Sequence, residues 1–338
     1  MDTFAFIVHP ISLEQIKSFW PLTKLLPNSL ILSQLPKLPP FKLSRIKNVR
    51  SAAGKEVEGY FIVCPLLPEQ MVKLDEKIVL DKIISAGHIA EELGAKIVGL
   101  GGYTSVVGDK GLTIARRLKI PVTSGNTYTA WAVFEAIYRA ARAKKKDLGN
   151  STLAVIGATG SIGSLCCRKL ASCVSKIIIT ARHRDKLEAL KEEILLLDSI
   201  EVVIEDDPRK AAKEADIVIT TTSTPEVLLD VRELKSGAIA CDVSIPKNIK
   251  KNPHSRQDLT IIDGGLIKLP FSANFGTPTG LPKNLIYACV AETMLLSLEG
   301  RFTGFSLGRH INLDKMELIA DIAVRHGFEV WVPEAPIL

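Results

Sequence analysis

Short apolar strands alternate with amphipathic helices, and a glycine-rich turn joins one of those strands to the helix that follows it. Several strands are also apolar from end to end. Together these observations predict an α/β protein with a central doubly wound parallel sheet, because strands covered by helices on both faces lose the alternation of polar and apolar residues. The 338 residues suffice for about two domains, each with its own core.

From the N-terminus, residues 34–55 carry Lys37, Lys42, Arg45, Lys47, Arg50 and Lys55 with no acid, broken by Pro36, Pro39 and Pro40. That pattern predicts a basic loop or sheet edge, not a long helix. Between Glu69 and Leu93 the apolar residues Met71, Leu74, Ile78, Leu80, Ile83, Ile84 and Ile89 recur at near-helical spacing, predicting one amphipathic helix. Ala95–Leu100 is a short strand ending in Gly101-Gly102. Pro121–Thr127 is a second strand and turn before a helix from about 129 to 144. The polar run from Lys144 to Asn150 then predicts a domain boundary, giving an N-terminal α/β substrate domain over 1–148.

Leu153–Ile156 is an apolar strand followed at once by Gly157-Ala158-Thr159-Gly160-Ser161-Ile162-Gly163 and a helix. Glycines are required there because backbone N–H groups must touch a pyrophosphate at a helix start, where the helix dipole adds positive charge. The arrangement is Rossmann-type. Gly157, Thr159, Gly160, Ser161, Ile162 and Gly163 are therefore candidate cofactor-binding residues. The next strand, Lys176–Thr180, ends before Arg182, His183 and Arg184, where a carboxylate would select NAD. Arg182 and Arg184 instead favour the 2′-phosphate of NADPH, the simpler reading being exposed loop charges. Runs at 200–204, 215–220, 237–242 and 259–263 complete the sheet and a nucleotide domain over 149–265, and the strand ends place Thr221, Ser223, Val243 and Gly264 near the cofactor, the simpler reading of each being an ordinary turn residue.

The final segment, 266–338, contains a helix expected from Leu285 to Leu298 with Cys289 in its first turns. Helix-start N–H groups lower a thiol pKa, as a nucleophile requires, although a Cys in an apolar helix is by default a packing residue. Glu292, one turn later, is a candidate proton donor whose simpler reading is a surface or supporting carboxylate, and it stays outside the catalytic set.

Charge and composition exclude other classes. Lys and Arg number 43 against 37 Asp and Glu, a net +6 without the concentrated field of a nucleic-acid binder. No run of 18 or more apolar residues is present, so no membrane span is expected, and a peripheral membrane contact is the membrane relation left open. The start Met1-Asp2-Thr3-Phe4 places an acid where a secretion signal is basic, which predicts a cytoplasmic protein. Six Cys show no C-x-x-C spacing and six His form no cluster, so free thiols and no metal site are expected.

Five segments occur in one order along the chain: Leu100–Ser105, Thr123–Thr127, Val155–Gly163, Ala288-Cys289 with Ala291-Glu292, and Glu299-Gly300 leading to Phe305-Ser306 and Gly308-Arg309. On these the chain resembles the cyanobacterial long-chain acyl-[acyl-carrier-protein] reductases. The resemblance implies NADPH-dependent reduction of fatty acyl thioesters to aldehydes, with Cys289 as the acyl-carrying nucleophile. It also implies acyl carrier protein as partner, with an aldehyde-deformylating oxygenase consuming the product. The stretch Ser272–Gly280 and residues Arg301, Leu307 and His310 depart from the family pattern. Asp242-Val243-Ser244-Ile245-Pro246 is similar to glutamyl-tRNA reductases and shikimate dehydrogenases. Two alternatives follow: a shikimate-type dehydrogenase without covalent catalysis, and a non-catalytic NADP-binding sensor.

Overall fold

The computed structural model describes residues 1–224, 226–250 and 256–333. The chain packs as two compact units: Met1–Gly125 with Leu269–Gly308 and Ile322–Phe328, and Asn126–Lys268 with Arg309–Asp321 and the residues from Glu329 onward.

The first unit opens with β1 (Thr3–Val8), α1 (Leu13–Phe19), α2 (Asn28–Gln34), β2 (Phe41–Arg50), β3 (Glu56–Val63), α3 (Pro68–Lys73), α4 (Glu76–Glu92), β4 (Ile97–Leu100), α5 (Leu112–Arg117) and β5 (Val122–Thr123). Its strands form one sheet in the order β2-β3-β1-β4-β5, parallel except for β2 against β3. The basic segment thus contains an edge strand, where Lys47 exchanges backbone hydrogen bonds with Asn274 at 2.8 and 3.0 Å. Two of its cations face carboxylates from β3, Arg45 bonding Glu58 and Arg50 lying 3.4 Å from Glu56. The single helix expected over 69–93 is instead two helices. Leu74 is extended, and Asp75 caps α4 by accepting from the Lys77 N–H at 2.9 Å. Val79, Ile83, Ala86 and Ala90 then bury α4 against Ala5, Ile7, Val98 and Leu100 of the sheet.

The second unit runs through α6 (Asn126–Ala143), β6 (Thr152–Ile156), α7 (Ser161–Leu170), β7 (Lys176–Thr180), α8 (Arg184–Leu197), β8 (Glu201–Ile204), α9 (Pro208–Glu214) and β9 (Ile217–Thr220). It continues with β10 (Leu229–Asp230), β11 (Ile239–Asp242), β12 (Ile249–Lys250), β13 (Thr260–Asp263) and β14 (Leu266–Lys268). Six strands pair in parallel in the order β13-β11-β9-β6-β7-β8, the doubly wound arrangement that the apolar runs predict. The unit begins at Asn126, ahead of the polar run at 144–150, because α6 packs against α7 and β11.

After β14 the chain forms β15 (Leu285–Tyr287), α10 (Ala288–Glu299), α11 (Leu313–His326) and β16 (Glu329–Val330). The helix expected from 285 starts at Ala288, since 285–287 are extended. Within the first unit α10 lies on β1 and β4, buried from Val290 to Leu298. Gly99 of β4 permits this contact: a Cβ there would stand 2.1 Å from Thr293 Oγ1. A helix apolar on all faces belongs inside a core, and this one completes the core of the N-terminal sheet.

Candidate active site

Cys289 is the second residue of α10, anchored where the helix enters the core. Opposite it, Gly125 closes the turn after β5 in a left-handed conformation (φ +73). A Cβ at Gly125 would lie 2.3 Å from both Cα and Cβ of Cys289, so only glycine permits so close an approach. The Thr123-Ser124-Gly125 turn therefore rests directly on the Cys289 backbone.

Glu292 binds the same turn from below. It is fully buried, and its Oε1 accepts hydrogen bonds from the Thr123 hydroxyl and, at 2.7 Å, from the Ser306 hydroxyl. Ser124 Oγ donates to the Ser306 carbonyl, and the Phe305 N–H donates to the Val122 carbonyl at 3.1 Å. Buried carboxylates are costly unless hydrogen-bonded, and these hydroxyls supply the bonds. Glu292 is thus not a surface carboxylate. Thr123, Ser124 and Ser306 escaped assignment from sequence because their partners are distant in the chain, although each lies in a segment that the resemblance singled out.

The helix start does not acidify Cys289 as expected. Desolvation pushes the thiol up to about 12; the Val290 N–H lowers it, and the Glu292 charge raises it further. Although the residue as a whole is half-buried, its surroundings are dense enough to disfavour a thiolate. That shift favours the thiol of Cys289 over its thiolate near neutral pH.

In the second unit the glycine-rich turn has the conformation that a dinucleotide requires. Gly157 is left-handed (φ +87), and its N–H and that of Ala158 bond the Thr180 carbonyl at 2.9 and 3.1 Å. A Cβ at Gly163 would meet the Gly157 carbonyl at 2.5 Å and Thr221 Oγ1 at 2.8 Å, so β6 and α7 come together only over glycine. Gly160 is the N-cap of α7 and offers no side chain to the helix start. Ser161 and Gly163 are buried, whereas Thr159, Gly160 and Ile162 are half-exposed at the turn. This open helix N-terminus suits a pyrophosphate.

The strand ends supply the remaining candidates. Thr221 Oγ1 donates to the carbonyls of Ile156 and Gly157 at 3.3 and 3.2 Å, and the Val243 N–H donates to the Thr220 carbonyl at 2.9 Å. Ser223 is half-buried in the loop after β9. Asp242, at the end of β11, is a buried tie: it accepts from the Thr220 hydroxyl at 2.7 Å and from the N–H groups of Ser244, Asn248 and Ile249. It shapes the 243–249 loop and has no surface to offer a ligand. The two arginines after β7 differ. Arg184 bonds Glu188 at 3.0 Å and reaches Asp206 at 3.4 Å, whereas Arg182 is exposed and forms no ion pair among the described residues.

Among the described residues no three His, Cys, Asp or Glu side chains gather as a metal would require, and no helix is long and apolar enough to cross a membrane.

Residues 139–263 match the Shikimate / quinate 5-dehydrogenase family. Over 301 residues the chain is 33% identical to the long-chain acyl-[acyl-carrier-protein] reductase of Synechococcus elongatus, covering 83% of this chain and 85% of that protein. It is 30% identical to aminotransferase PigE of a Serratia species over 97% of this chain, which spans only 39% of that longer protein. The glutamyl-tRNA reductase of a Picosynechococcus species is 27% identical over 52% of this chain and 42% of its own length.

Proposed function

Because the chain belongs to the family of long-chain acyl-[acyl-carrier-protein] reductases, we propose that it reduces fatty acyl groups borne on acyl carrier protein to aldehydes, with NADPH as reductant and Cys289 as acyl carrier. One observation bears most of this reading. Three segments far apart in sequence, 123–125, 289–292 and 305–306, converge on a single cysteine held against a glycine turn. The family match at 139–263 spans the nucleotide sheet alone, and it supports a nicotinamide-dependent oxidoreductase without bearing on the acyl substrate.

In the first half-reaction the Cys289 sulfur bonds the acyl carbon and the carrier sulfur departs. The Cys289 proton ends on the departing thiol, so a neutral thiol enters and a neutral thiol leaves. Exchange between thioesters is nearly balanced in energy, and a strongly acidic cysteine is not required by the overall proton count. The nicotinamide, when bound in reduced form, supplies a hydride. Cys289 holds the acyl group through the reduction and leaves as the aldehyde carbonyl forms, its sulfur taking up a proton from solvent because its own departed with the carrier thiol.

The chain's own groups divide the remaining work. Gly125 and Glu292 fix where the sulfur sits. Gly157, Thr159, Gly160, Ser161, Ile162 and Gly163 would hold the pyrophosphate, Arg182 the 2′-phosphate, and Thr221, Ser223 and Val243 would border the nicotinamide end, with Arg184 held back by its carboxylates. The test is direct: purified protein with stearoyl-acyl carrier protein and NADPH should yield octadecanal and oxidised cofactor in equal amounts. Oxidation without aldehyde, or neither, would overturn the assignment.

A further inference from the structure

The first unit exposes apolar surface that its own core does not use. Between α1 and α2 the chain passes through Trp20-Pro21-Leu22-Thr23-Lys24-Leu25-Leu26-Pro27, and its apolar residues sort to two sides. Ile16, Ile31 and Leu35 turn inward with Leu67 to form a small satellite core. Leu22 and Leu25 are 82% and 84% exposed, and Trp20, Leu26 and Leu30 are each at least 40% exposed. Single exposed apolar side chains are ordinary on protein surfaces, but here five fall within eleven consecutive residues.

Charge along the stretch of sequence that holds this turn is one-sided. Residues 11–55 hold eight Lys and Arg against a single carboxylate, Glu14, so this stretch is net +7 while the rest of the chain is net −1. Arg45 and Arg50 are paired with Glu58 and Glu56 on the strand side. Lys17, Lys24 and Lys37 form no ion pair among the described residues, and Lys17 Nζ donates to Asn28 Oδ1 at 2.6 Å.

We propose that the Trp20–Leu30 turn docks on the surface of an anionic phospholipid bilayer. Leu22, Leu25 and Leu26 would enter the boundary between headgroups and acyl chains. Trp20, amphipathic and half-exposed, suits the headgroup level, and Lys17 and Lys24 would meet lipid phosphates. A second copy of this chain fits less well, because it would set these lysines against one another. The proposal stands on exposure and charge and is independent of the reductase chemistry.

The full chain tests it by sedimentation with vesicles of phosphatidylcholine alone or mixed with phosphatidylglycerol. Sedimentation with the mixed vesicles, weakened by high salt and absent with phosphatidylcholine alone, is expected. Leu22→Asp with Leu25→Asp should cut the bound fraction by at least about tenfold while the circular dichroism stays unchanged. Leu22→Ser is a milder variant, with a smaller loss in the same direction. Wild-type protein remaining in the supernatant with anionic vesicles, or variants binding as wild type does, would overturn the proposal. So would binding of acyl carrier protein, or a dimer, that the Leu variants abolish while vesicles are ignored.

Discussion

The Glu292 carboxylate and the Thr123 hydroxyl, 169 positions apart in the chain, meet in a buried hydrogen bond one helical turn from Cys289. That bond ties the strand end carrying Gly125 to the helix carrying the thiol. Thr123→Val should therefore cost about 1.5–3 kcal/mol of stability, the range for a buried hydrogen bond to a charged group. Chemical denaturation reads the loss. Acyl transfer should slow as well, with the Kd for NADPH unchanged, because the nucleotide turn has its own supports. A variant as stable and as fast as wild type would remove Thr123 from the account.

The Cys289 thiol gives a pH signature. Its pKa is raised, so the thiolate fraction is small at neutral pH and grows about tenfold per pH unit until the pKa is reached. Alkylation of Cys289 by iodoacetamide, followed by peptide mass spectrometry, should keep rising through pH 10 without a plateau. The Glu292 charge disfavours the thiolate, so Glu292→Gln should lower the pKa and speed alkylation at every pH in that range. A plateau below pH 8 in the wild type would show that desolvation does not govern this sulfur.

Gly125→Ala isolates the contact between turn and helix. A Cβ there has no room beside Cys289, and the left-handed backbone adds strain. Displacing a reacting atom by about 1 Å costs on the order of a hundredfold in rate, and a loss at least that large is expected in aldehyde formation. Equal activity in the variant would mean that the turn does not position the sulfur.

For the nucleotide unit, Gly163→Ala should abolish the fluorescence enhancement of bound NADPH, since its Cβ would press on the Gly157 carbonyl. Arg182→Ala should erode the preference for NADPH over NADH by about tenfold to a hundredfold, the worth of one charge-assisted hydrogen bond. Arg184→Ala should change it less, because Glu188 and Asp206 already engage that guanidinium. The reverse ranking would contradict the roles proposed for the two arginines.

What was legible in the sequence followed from where each segment is buried. The six-stranded sheet declares itself because β6, β7, β9 and β11 are buried on both faces and read as unbroken apolar runs. The five-stranded sheet is harder to read. Its edge strand β2 mixes Lys and Arg with apolar residues and carries two register shifts. The break at Leu74–Asp75 hides inside a continuous helical periodicity. The spacing of Cys289 and Glu292 is visible, but the partners that bury Glu292 come from 123 and 306, and only packing brings them together. Helix position alone misjudged the acidity of Cys289, because desolvation outweighs the N–H groups of a helix start.

In the proposed reaction Cys289 carries the acyl group. Intact-protein mass spectrometry after mixing with a palmitoyl or stearoyl thioester, without NADPH, tests it most directly. Wild type should gain the mass of one acyl group and lose it when NADPH is added, and Cys289→Ala should gain nothing. An unmodified wild type that still makes aldehyde, or a Cys289→Ala variant that is acylated and discharged as wild type is, would contradict it.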